Sequence, residues 1–156
     1  MLFNIFLASL VIAPMAYFLM SGGASENKLK SAFIANITQK GIQVSDIEVW
    51  QNGVVGLDSK NNYLYYQGFI KSDNQLKSID LTDVKSCVLE KSISNESVHN
   101  SATKVLHKAT LIIKSTTSTQ EIKMYDADET IQMQDDVLKA IKWEKIINAI
   151  VLNLKK

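Results

Sequence analysis

The chain opens on an unbroken apolar stretch. Met1 to Met20, MLFNIFLASLVIAPMAYFLM, has no charged side chain, and only Asn4, Ser9 and Tyr17 bring polar atoms. As a helix, Leu2 to Met20 rises about 28 Å, close to the roughly 30 Å of bilayer hydrocarbon. Pro14 removes one helical hydrogen bond, which a membrane helix tolerates. A cleaved signal peptide needs a positive leading region and a small-x-small site. The only positive charge before this run is the terminal amine, and no Ala-x-Ala precedes Ser21-Gly22-Gly23-Ala24. The pattern predicts an uncleaved transmembrane anchor over residues 1–20.

A different period follows. Leu29, Ala32, Phe33 and Ile37 recur at helical spacing and predict a helix from Ser25 to Lys40. Ser25 suits its cap, Glu26 its positive end and Gly41 its close. Residues 21–41 thus read as a linker and an amphipathic helix. Its apolar face can pack on the domain behind it, or receive a partner helix or the membrane surface.

From Ile42 the period falls to two. Ile47–Trp50, Gly53–Asp58, Tyr63–Ile70, Leu76–Leu81, Val84–Lys91, Val105–Lys114 and Gln120–Tyr125 read as strands. Polar turns separate them, and Ser92 to Thr103 reads as a long polar loop. On the Tyr63–Ile70 strand, Leu64, Tyr66 and Ile70 share one face; Tyr63, Tyr65 and Phe69 share the other. One face is core, so the second is either covered by the Ser25–Lys40 helix or binds a partner. The chain closes on an amphipathic helix, Asp135 to Leu154. Its broad stripe holds Leu138, Ile141, Trp143, Ile146, Ile147, Ile150, Val151 and Leu154. Lysines and Glu144 interrupt it, so it should close the core and not span a membrane.

Charge narrows the function classes. Seventeen basic residues face sixteen acidic ones for a net +1, and every basic residue is lysine. Without arginine the bidentate fork for phosphate is missing, so nucleic acid is not an expected partner. Lys28, Lys30 and Lys40 follow the apolar run and none precedes it, which places the domain on the cytoplasmic side. A single cysteine, Cys87, excludes an intrachain disulfide and fits a reducing compartment.

Strands in this order, followed by one amphipathic helix, resemble the pleckstrin-homology-like (PH-like) superfold. The tract Ser78-Ile79-Asp80-Leu81-Thr82-Asp83-Val84 matches a strand, a turn and the next strand. Trp143-Glu144-Lys145-Ile146-Ile147-Asn148 resembles the helix that plugs that fold. The whole chain is similar to N-terminally anchored bacterial proteins with such a domain. The resemblance implies an α+β domain over residues 42–156: a bent antiparallel sheet of about seven strands capped by the C-terminal helix. It also implies a binding scaffold. Lipid-binding members hold inositol phosphates with a basic first hairpin; here that loop offers only Lys60, so phosphoinositide is not expected.

Candidate chemistry is sparse. His99, His107 and Cys87 lack the spacing of a zinc site. Cys87 has no accompanying base or oxyanion motif, and its strand position suits a buried thiol. Asp126, Asp128 and Glu129 lack a calcium-loop spacing and read as a solvated turn. No glycine loop for phosphate occurs. The expectation is a non-catalytic, membrane-anchored interaction or assembly module, such as an accessory subunit, with no cofactor or metal. Its partner is an unidentified protein. The residues favoured for contact are Tyr63, Tyr65 and Phe69 on the strand, with Leu29, Phe33 and Ile37 on the helix. The competing classes are an exported periplasmic or envelope binding domain, and an enzyme of unrecognised class.

Overall fold

The computed structural model describes residues 26–68, 75–98, 101–128 and 134–156. The anchor expected over 1–20 lies outside these residues, as do Phe69, His99 and Glu129. Among the described residues no helix is long and apolar enough to cross a membrane.

The first element is helix α1, residues 26–39. Gly41 ends it with a φ of 71°. Its N–H donates to Thr38 O at 2.9 Å, and the Ile42 N–H donates to Ile37 O at 3.0 Å. This paired closure needs a left-handed residue, which glycine supplies without steric cost.

Seven strands follow in antiparallel order. β1 (Asp46–Trp50), β2 (Gly53–Asp58), β3 (Tyr63–Gly68) and β4 (Leu76–Asp80) form one sheet in chain order. β5 (Val84–Val98), β6 (Ser101–Ser115) and β7 (Thr119–Asp126) form the second. Helix α2 (Gln134–Leu154) completes the α+β domain. Leu64 faces both Leu57 and Ile79 across the first sheet, and Leu111 faces both Leu89 and Ile122 across the second.

Period-two alternation sorts side chains into two cores. Trp50, Val55, Leu57, Leu64 and Tyr66 meet Leu111, Ile113, Ile122 and Met124 of the second sheet, with Trp143, Ile147 and Val151 of α2. Val49 and Val54 point the other way and pack with Phe33 and Ile37 of α1. The first sheet is therefore covered on both faces, which explains why all six residues of β2 are buried.

Three expectations are corrected. The polar stretch Ser92–Thr103 is not a long loop: β5 runs on to Val98 and β6 begins at Ser101. Backbone ladder bonds join Ser94 to Val105 and Glu96 to Thr103 whatever their side chains, so polarity alone was no sign of a break. On α2 the buried stripe is Ala140, Trp143, Ile147 and Val151, while Leu138 and Leu154 are exposed. Leu138 lies two residues before Ala140, about 200° around the helix, and so faces water. Ala32 of α1 is exposed too.

Candidate functional site

The aromatic face lies where β3 meets α1. Tyr63 and Tyr65 are half-buried, with ring centroids 6.1 Å apart and planes at 24°. The Tyr63 hydroxyl donates to Asp80 Oδ2 at 3.2 Å, and the Asp80 charge raises its pKa. Tyr65 packs against the α1 core, as does Leu29. Phe33 and Ile37 are 0% and 2% exposed. The helix stripe is thus used inside the fold, and Phe33 and Ile37 have no surface left for a partner. Asn36 Nδ2 adds a bond to Gln67 Oε1 at 3.3 Å. At Tyr65 this face of β3 is covered by α1, the first of the two sequence readings.

A polar hollow of about 430 Å³ lies between the α1–β1 connection and the β2–β3 turn, lined by Gly41, Ser45, Asp58 and Lys60. Asp58 is already satisfied there. Its Oδ1 accepts from the N–H groups of Lys60 and Asn61 at 3.1 and 3.0 Å, and its Oδ2 from Asn61 Nδ2 at 2.7 Å. These bonds, led by the Asn61 side chain, hold its pKa below the usual value. The carboxylate serves the turn.

The third region is the free side of β5, where helix and strand meet through polar groups. Cys87 N–H donates to Asn148 Oδ1 at 3.0 Å, and Asn148 Nδ2 donates to Cys87 O at 2.7 Å. Leu89 N–H donates to Glu144 Oε1 at 2.8 Å, and Lys155 Nζ donates to Lys85 O at 3.1 Å. One helical turn advances about 5.4 Å and two strand residues about 6.8 Å, so Glu144 and Asn148 meet alternate β5 residues. Sequence reading missed this role. The available signal was a polar pair at i and i+4 bordering the apolar stripe. Replacing Asn148 by alanine removes both bonds to Cys87. Chemical denaturation should then show a loss of about 2 kcal/mol. Cys87 is buried and its pKa is pushed up to about 12 by burial and the Glu144 charge. Faster reaction of its thiol with Ellman's reagent in Asn148→Ala would report the loosened edge.

The remaining titratable groups serve structure. Asp126 is 2% exposed and pairs with Lys108 at 3.2 Å and Lys123 at 3.4 Å. Burial alone would raise its pKa, but the Asp128 N–H and these lysines hold it low. Within the acidic cluster Asp126 is therefore not solvated, being paired with two ammonium groups, while Asp128 is exposed and its N–H donates to Asp126 Oδ1 at 3.2 Å, a turn cap of the kind expected. His107 is the extra residue of a β-bulge, since Ser92 pairs Lys108 and Ile93 pairs Leu106. Its Nε2 lies 2.6 Å from Ser94 Oγ. Among the described residues no three His, Cys, Asp or Glu side chains could hold a metal.

Asp136 behaves differently. It is 4% exposed, and burial raises its pKa to about 6 against the favourable Lys139 charge and the Gln51 N–H; Glu26 and Asp135 push it further up. The folded chain keeps this proton above the ordinary carboxylate value of 3.8, where the unfolded chain loses it. Its contribution to stability is therefore full below 3.8 and falls as pH rises towards about 6. Denaturation curves of Asp136→Asn should lack that fall. Asp58, Asp80 and Asp126 have lowered values and act oppositely, losing stability as pH drops below the ordinary carboxylate range.

Comparison with protein-family models, with curated proteins and with solved structures finds no match to this chain.

Proposed function

We propose that this protein is a membrane-anchored, non-catalytic interaction module whose domain is of the PH-like type. The observation that carries the reading is element order. Four antiparallel strands, then three, are followed by one helix that packs Trp143, Ile147 and Val151 between the sheets. That order matches the PH-like arrangement of a strand meander plugged by its last helix, and such scaffolds bind through their surfaces. The anchor rests on the uncharged run from Met1 to Met20, and the cytoplasmic orientation on Lys28, Lys30 and Lys40 behind it. Helix α1 is described from residue 26, six positions after Met20 in the chain, and is packed onto the first sheet, so a short connection would hold the domain close to the bilayer. Cys87, with a thiol pushed up to about 12, is a poor nucleophile, which weighs against the enzyme class.

The test is topological. A cysteine appended after Lys156 should react with a membrane-impermeant maleimide only after lysis, and the chain should resist carbonate extraction from membranes. Labelling in intact cells would place the domain outside. Release by carbonate, or recovery of mature protein lacking its first twenty residues, would overturn the anchor.

A further inference from the structure

We propose that the β5 edge beyond Leu89 pairs with the same edge of a second copy of this chain, antiparallel and centred on Ile93. The proposal rests on the reading of the domain as an interaction module and names its contact surface. The caps from α2 reach Lys85, Cys87 and Leu89, and their pattern fixes the phase of the strand: the N–H and C=O groups of odd-numbered residues point away from β6. The bulge near His107 lies on β6, so β5 keeps this phase through Lys91 and Ile93. Among the described residues no side chain reaches the outward groups of Lys91 or Ile93. An open row of this kind is a template for strand addition.

Self-complementarity selects the second copy. A two-fold axis at Ile93 makes it a hydrogen-bonded pair with its own mate and sets Lys91 opposite Asn95, with no like charge between them. Ile93 is 53% exposed in the single chain and pairs with Leu106 of β6. Across the axis the row becomes Leu106, Ile93, Ile93 of the second copy, then its Leu106. An apolar stripe four strands wide replaces an isolated exposed isoleucine.

The experiment uses the full chain in detergent micelles, with protein mass read by light scattering and analytical ultracentrifugation. Wild type should show a concentration-dependent dimer. Ile93→Lys, at an exposed position that leaves the cores intact, should raise the dimer Kd about tenfold or more. The Cα atoms of a hydrogen-bonded pair lie about 5.5 Å apart, within disulfide range. Ile93→Cys should therefore cross-link under copper phenanthroline and air. Val88→Cys is exposed on the same strand but lies about 30 Å from its mate in this register, and should not. Unchanged melting of each variant confirms folding. A monomer at all concentrations, equal cross-linking at 88 and 93, or a dimer indifferent to Ile93→Lys would each overturn the proposal. A monomer would leave the edge to a different chain. None of these readouts depends on which side of the membrane the domain occupies, so this proposal and the topology can fail separately.

Discussion

Replacing Trp50 by alanine should lower the unfolding free energy by about 3–5 kcal/mol, a large part of a marginal domain's stability. Trp50 is fully buried at the end of β1 and stacks on Tyr66, with ring centroids 6.0 Å apart and planes at 7°. Its indole N–H donates to Lys123 O at 3.1 Å, joining the first sheet to β7 of the second. Alanine would leave a ring-sized void and remove the bond to Lys123 O. Trp50→Phe separates the two effects, since it keeps most of the packing and should cost nearer 1 kcal/mol for the lost bond. Gly53→Ala attacks the same place from β2: a Cβ there would lie 2.5 Å from the Trp50 ring. Urea denaturation followed by tryptophan fluorescence measures all three.

Phe33→Ala should have an effect of similar size confined to one element. Helix α1 is held to the first sheet mainly by Phe33 and Ile37, both buried against Val49 and Val54. Losing the phenyl ring removes about 3–5 kcal/mol, enough to let α1 detach while the larger core persists. Hydrogen exchange should show the amides of 26–39 losing protection in Phe33→Ala and those of β6 and α2 keeping theirs. Gly56→Ala should act in the same direction, because its Cβ would come within 2.9 Å of the Phe33 ring and 3.1 Å of Val44. Equal loss of protection across both cores would show that the chain unfolds as one unit. A released α1 would also loosen the link between the proposed anchor and the domain.

The parts legible in the sequence were those whose side chains divide cleanly between core and water. The alternating Tyr63-Leu64-Tyr65-Tyr66 pattern and the helical spacing of Phe33 and Ile37 each carry their period openly. Both β2 and the body of α2 were placed to within a residue or two. What stayed hidden depends on backbone groups and pairings. The far half of the β5–β6 hairpin is written in serines and asparagines with no alternating apolar period, so it looks like a loop although its backbones are paired. Glu144 and Asn148 look like ordinary helix-surface residues until a strand edge is set beside them. Asp126 looks solvated until Lys108 of the neighbouring β6 joins Lys123 of its own strand beside it. Phe33, Ile37 and Leu29 are apolar at the spacing an interaction helix would show, and amphipathic periodicity does not distinguish a partner's surface from the chain's own sheet.

The two elements that meet at the β5 edge are unequal rulers. Fifteen residues of extended strand measure about 50 Å, while twenty-one residues of helix measure about 31 Å. Lengthening each strand of the hairpin by two residues adds about 6.8 Å of overhang, but leaves the contacts at Lys85, Cys87 and Leu89 in place. Adding one residue to the helix between Glu144 and Asn148 turns everything beyond it by about 100° and breaks the match at once. Insertions should therefore be tolerated at the hairpin end and rejected inside the helix, giving this domain an arm whose reach can change without disturbing its body.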